Sequence, residues 1–168
     1  MAKKPASTEP LDCPNCGEPS VVKRTRYGRR DDCERCGLHS WDGKPMVGQE
    51  VHEARKHCHE IFDRLWKSAE TMYGIEERPG TKEYEIAVAR IRRSARNRAY
   101  RFIALITRMP EPECHMSDQA DIEKLRTIYR AAKDATPEGI RDWWKAEGEA
   151  WWQEMNPRKT KAKEADAA

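Results

Sequence analysis

Two Cys-x-x-Cys pairs, Cys13/Cys16 and Cys33/Cys36, each followed at once by a glycine, lie about sixteen residues apart in the stretch CPNCGEPSVVKRTRYGRRDDCERCG. No other feature constrains the chain as strongly, because a segment of roughly 35 residues is too small to bury a sufficient core of its own. Two thiolates three residues apart reach one metal ion from a single tight turn, and the glycine lets the backbone fold back around the sulfurs. The paired spacing predicts one structural zinc ion held by Cys13, Cys16, Cys33 and Cys36. A closed four-sulfur site leaves no open position for water or substrate, which argues against catalysis at this metal. Between the pairs, Val21, Val22, Thr25 and Tyr27 ahead of Gly28 are strand formers running into a turn, so a β-hairpin joining two cysteine knuckles is expected, the plan of a zinc ribbon.

The remainder reads as helical. DGKPMVG breaks the chain at 42–48, after which Val51, Ala54, Cys58, Ile61, Leu65, Ala69 and Met72 recur at steps of three or four, predicting a helix over about 49–73. A second line on that helix runs through His52, His59, Trp66 and Tyr73, with Asp63 one turn after His59. A helix over about 82–109 is predicted with Tyr84, Val88, Ile91, Ala95, Ala99, Phe102 and Ile106 inward. Ser117 is a candidate cap for a third helix to about 133, and Thr136 followed by Pro137 opens a fourth that carries Trp143, Trp144, Trp151 and Trp152. On that last helix Trp144, Trp151 and Met155 are expected to bury. The expected class is therefore α+β and mostly α, a zinc ribbon (12–48) packed on a bundle of about four helices: a helical domain (49–135) and a tryptophan-rich helix (136–155). Residues 1–11 and 156–168 are polar and read as disordered tails.

Three further segments, RKHCHEIFDRLW (55–66), RNRAYRFIALI (96–106) and ECHMSDQADIEKLRTIY (113–129), follow the cysteine pairs and a KPMVG loop in that order. In this order they resemble a family of small zinc-finger-containing domains from bacteriophages and bacteria, a family without an assigned activity. The matching positions are Arg55, Lys56, His59, Phe62, Asp63, Leu65 and Trp66, then Ala99 and Tyr100, then Cys114 and His115. The resemblance spans roughly residues 13–130 and implies a phage or mobile-element protein. The chain departs from the family pattern where LHSWDGKP follows the second knuckle, where Phe102 replaces a tryptophan, where Met116-Ser117 replace Ile-Gly, in an insertion around 74–95, and in the tryptophan helix.

Function is sought in the charges. The net charge of this 168-residue chain is only +3, so any case for nucleic acid rests on where the cations lie. Between Ile86 and Met109 stand seven arginines and no acid, and Arg90, Arg92, Arg93, Arg96 and Arg101 recur at spacings that track a phosphate backbone. Lys23, Arg24, Arg26, Arg29 and Arg30 on the hairpin would extend the patch. The reading is a non-enzymatic, zinc-containing nucleic-acid-binding protein. Two alternatives stand beside it: a factor that binds a host protein through the ribbon and the tryptophan helix, and a metal-dependent hydrolase with a second site at His59, Asp63, Cys114 and His115. With no secretion signal and no apolar run of membrane-spanning length, a cytoplasmic location in a bacterial cell and no membrane partner are expected.

Overall fold

The computed structural model describes residues 9–157. The expected tails lie mostly outside these residues, but position 11 belongs to the ribbon. Leu11 donates its amide to Ser20 Oγ at 2.9 Å and accepts from the Ser20 amide at 2.8 Å, and Asp12 bridges Pro19.

The fold is α+β, a small antiparallel sheet followed by helices. Strands β1 (Val21–Thr25), β2 (Gly28–Asp32) and β3 (His39–Trp41) form a meander in the order β1-β2-β3. The third strand was not expected: three residues are too few for a period to show. Register aligns Lys23 with Arg30 and Trp41, and Val21 with Asp32 and His39. Side chains alternate across a strand, so these six residues share one face. The opposite face carries Arg29, Asp31 and Ser40. Asp31 is fully buried there, gripped by Arg29 Nε at 2.9 Å and Nη2 at 2.6 Å, and accepts from the Ser20 hydroxyl at 3.3 Å. Such a two-pronged buried pair is costly to break from one side, by about 3–5 kcal/mol.

The knuckles repeat one another. Gly17 donates to the Cys13 carbonyl and Gly37 to the Cys33 carbonyl, both at 2.8 Å, while the amides of Cys13 and Cys33 return to Glu18 and Leu38. Both glycines take left-handed backbone, φ +73° and +71°, a conformation that side chains rarely adopt.

Helix α1 (Gln49–Asp63) ends ten residues earlier than its periodicity suggested, and the chain continues through turns into a 3-10 turn at Ala69–Met72. Helix α2 (Lys82–Thr107) is capped by Thr81, whose hydroxyl accepts from the Tyr84 amide, and stops at Arg108 in left-handed conformation, just before Pro110. Helix α3 (Ile122–Lys133) is capped by Asp121 and not by Ser117, because after a 3-10 turn at Glu111–Cys114 the chain makes a further turn around Ser117, with the Asp118 and Gln119 amides on the His115 and Met116 carbonyls. Asp121 accepts from the amides of Glu123 and Lys124.

Thr136 caps α4 (Pro137–Trp143) as expected, but the last helix is interrupted. A π turn at Trp144–Gly148 separates it from α5 (Glu149–Met155), with the Glu149 amide reaching the Trp144 carbonyl. The wider turn shifts the register of everything beyond it. Met155 is consequently 64% exposed and not inward, while Trp143 packs on Phe102, Trp144 and Trp151. Gly148 lies under the Trp143 ring, where a Cβ would meet ring carbons at 2.9 Å.

The core joins α1, α2 and α3 through Cys58, Phe62, Leu65, Ala99, Tyr100, Ile103, Leu125 and Ile128, with Cys114 and Met116 from the connecting segment. On α2 the buried stripe runs through Tyr100, Ile103 and Ala104, leaving Ile106 54% exposed. The Phe62, Tyr100 and His115 rings stack in series, with centroids 4.3 and 4.2 Å apart. Phe62, at the inner end of this series, is 1% exposed, so Phe62→Ala is expected to cost about 3–5 kcal/mol in urea unfolding. Met155→Ala should stay within about 0.5 kcal/mol.

Candidate metal centre and basic cleft

The four cysteine sulfurs lie within 4.8 Å of one another, with Cys16 Sγ 3.6 Å from Cys33 Sγ. Four sulfurs about 2.3 Å from a central tetrahedral ion would stand about 3.8 Å apart, so the set has the dimensions of a metal centre. None of the six cysteines is in a disulfide. The thiols influence one another strongly. Burial opposes ionisation of Cys13, yet the Cys16 and Asn15 amides and the neighbouring thiols bring its pKa down to about 7, whereas hydrogen bonding to Cys16, burial and the charge of Cys13 push Cys36 up to about 12. The Cys36 amide also points at Cys33 Sγ, at 3.3 Å. Leu38 and Met46 cover the cluster from the apolar side.

Among the described residues no other group of metal-ligating side chains is this close. His59 and Asp63 share one face of α1, Cys114 and His115 make other contacts, and the four do not gather into a ligand group. Cys114 is fully buried in the helical core, not in an open loop, with its thiol directed at the Pro110 carbonyl and its pKa raised to about 11 by burial. His115 stacks on Tyr100, and Asp63 accepts from Trp66 Nε1 at 3.0 Å and pairs with Lys67 at 2.7 Å. Cys58 is likewise a core residue. Its thiol donates to the Leu125 carbonyl and burial lifts its pKa to about 11.

The arginines predicted to form one phosphate-tracking face are divided among several tasks. Arg29 is bound to Asp31, and Arg30 and Lys23 both pair with Asp32. On α2, Arg92 clamps Glu70 with both prongs, Arg96 lies over Trp66 and Tyr100, and Arg98 donates to the Tyr73 hydroxyl. Arg101 lies 5.0 Å from the Trp144 ring centre and 4.2 Å from that of Trp152. Of the predicted set, Arg24, Arg26, Arg90, Arg93 and Arg96 remain exposed without an ion pair, Arg26 lying over the 68% exposed Tyr27 at the hairpin tip.

A cleft of about 1000 Å³ opens between the ribbon and α1. One wall is β3 and the turn after it, with His39, Trp41 and Lys44. The other is α1 and its extension, with His52, Arg55, Lys56, His59, Glu60, Asp63, Arg64 and Lys67; Ser117 and Asp118 close one end. The His39 and His52 rings meet edge to face at 5.1 Å and Lys44 pairs with Asp118, so ring contact and ion pair tie the two walls together. Five cations oppose three carboxylates, and two of those carboxylates are already matched by Lys44 and Lys67. Lys56 and Arg64 are exposed and unpaired. Arg55 donates Nε to the Gln119 carbonyl at 2.7 Å, leaving its terminal nitrogens for the cleft. The hint in the sequence was the His52, His59, Trp66 line, which marks a second face on α1. What covers that face depended on the unanticipated strand β3.

Compared with protein-family models, with curated proteins and with solved structures, the chain finds no match. Among the described residues no helix is long and apolar enough to cross a membrane.

His39 and His59 both titrate below the ordinary 6.5. Burial is the main cause for each: at His39 Arg30 and His52 add to it while Asp32 opposes, and at His59 Asp63 opposes it while Arg96, Arg55 and Lys67 add to it. The unfolded chain therefore takes up protons first as pH falls. The stability linked to these rings is complete above pH 6.5 and is lost as pH drops through their folded values. Urea midpoints should fall between about pH 7.5 and about pH 5.5, and His59→Gln should shrink that fall. An unchanged pH slope in the variant would count against the buried, neutral ring.

Proposed function

We propose that this chain is a nucleic-acid-binding protein whose ribbon is held by one structural zinc ion, and that the cleft between ribbon and α1 is its binding surface. The observation that carries the reading is the lining of that cleft: Lys44, Arg55, Lys56, Arg64 and Lys67 around the Trp41 ring, in a protein of nearly balanced charge. Cations concentrated in one concavity attract phosphate and release its counterions, whereas the same charges spread evenly would not. Arg24 and Arg26 at the exposed hairpin tip, and Arg90 and Arg93 on α2, add secondary phosphate contacts.

Zinc is the metal that four cysteines at these distances favour. Its role is architectural: it fixes the two knuckles, and through them the strand that forms one wall of the cleft. The resemblance to small zinc-finger-containing domains of phages and bacteria agrees with this reading and supports a phage or mobile-element origin.

The purified protein is expected to hold one zinc per chain by elemental analysis. Cys33→Ser should lose the metal and the hydrogen-exchange protection of β1–β3; a metal-free native chain would remove the zinc from the proposal. In fluorescence anisotropy, binding to labelled oligonucleotides should weaken as salt rises, each released phosphate contact contributing about 0.7–0.9 to the slope of log K against log salt. The double change Lys56→Glu/Arg64→Glu should lower the slope by about two contacts and the affinity by about tenfold or more. Arg24→Glu/Arg26→Glu should have a smaller effect. No binding to DNA or RNA at low salt would sink the reading.

A further inference from the structure

We infer that the cleft takes a single-stranded segment, with a base against Trp41 and the flanking phosphates on Lys56 and Arg64, and that it excludes a duplex. This rests on the nucleic-acid reading above and narrows it.

The first ground is shape. Proteins that read a duplex present a protruding helix or ribbon to a groove about 12 Å wide. Here the cationic face of α1 is turned toward the ribbon, and His39 against His52 together with Lys44 on Asp118 hold the ribbon close over it. Only a slender chain can lie between them, and a volume of about 1000 Å³ fits a nucleotide or two rather than a double helix.

The second ground is the chemistry of the walls. Arg30 lies over the Trp41 ring at 5.5 Å and the His39 ring meets it edge-on at 6.4 Å, while the half-buried Trp41 still presents part of its surface to the cleft. Stacking on an aromatic ring suits an unpaired base, since a base in a duplex already has its faces occupied. Glu60 has no cation paired with it and can accept from an exocyclic amino group, while neutral imidazoles at His39 and His59 each offer one donor and one acceptor to a base edge. Such groups are of little use to a surface that grips phosphates alone. The cations divide accordingly: Lys44 and Lys67 neutralise acids inside the cleft, and the exposed Lys56 and Arg64 are left for the backbone.

The test uses the zinc-loaded full chain, a short labelled single strand, the same sequence as a blunt duplex, and a free mononucleotide as competitor. The single strand should bind at least about tenfold tighter than the duplex, and Trp41→Ala should cost it about five- to hundredfold, the range for one lost stacked base. Trp41→Phe should recover most of that loss, and zinc content and circular dichroism should match the parent in both variants. Equal affinity for strand and duplex would overturn the inference, as would a correctly folded Trp41→Ala protein with unchanged affinity. Either result leaves nucleic-acid binding standing if Lys56→Glu/Arg64→Glu still lowers the affinity and the salt slope. Displacement of the strand by the mononucleotide at equal concentration would assign the cleft to a free nucleotide and overturn the strand. Absence of all binding would remove both readings together.

Discussion

Four sulfur atoms within 4.8 Å of one another are the constraint on which the ribbon depends. The first knuckle sets the start of β1 and the second sets the start of β3, so bringing the sulfurs together determines where the sheet begins and how its third strand returns. The apolar material around them is small, little more than Leu38 and Met46, and would not order some thirty residues unaided. On the far face, Asp31 held by Arg29 and Ser20 completes the arrangement by tying β2 to the segment that leaves the first knuckle for β1. Neither device supplies much hydrophobic burial. Both specify a geometry, and that geometry places β3 as one wall of the cleft.

The arginines show why a charge pattern read along a helix overstates an interface. A guanidinium has five donors and a flat face, and in a small protein rich in aromatic rings and acids it is drawn into internal contacts. Arg92 went to Glu70, Arg96 to Trp66 and Tyr100, Arg98 to Tyr73, and Arg101 to Trp144 and Trp152. The partners lie 22 to 25 residues away for Arg92 and Arg98, and still farther for Arg101, so local spacing could not reveal them. The tryptophan helix follows from the same contacts. Its rings close over Arg101 and Phe102, with the π turn and Gly148 providing the bend that lets Trp143 settle.

Legibility followed the range of the determining interaction. The cysteine knuckles, the β1–β2 turn and the caps at Thr81 and Thr136 are local, and local chemistry identifies them or comes close. The burial of Cys58 was visible in the period of α1. Cys114 was not, because it enters the core from an irregular segment with no period to read. The same holds for the end of α1 and the start of α3, where the turn after Asp63 and the turn around Ser117 override continuous periodicity. The cleft was least legible, since its walls come from β3 and α1 and its closed end from residues more than fifty positions beyond the end of α1.

Helix α1 is where these strands of argument meet. Its apolar face, Cys58 and Phe62 with Leu65 beyond its end, packs on α2 and α3 and fixes the helix in the bundle. Its polar face, His52, Lys56, His59 and Asp63, steps by three or four residues along the opposite side and looks toward the ribbon. One rigid element thus carries the core on one side and the cleft on the other, and packing holds the backbone beneath Lys56 while its side chain stays free. Trp41, by contrast, is positioned through β2 and the sulfur centre, on a sheet with almost no apolar core. The two walls therefore draw their stability from different sources, burial for the helix and the clustered cysteine knuckles for the strand. The cleft exists only where both are intact, and perturbing the cysteines removes the aromatic wall without touching the contacts that hold the cationic one.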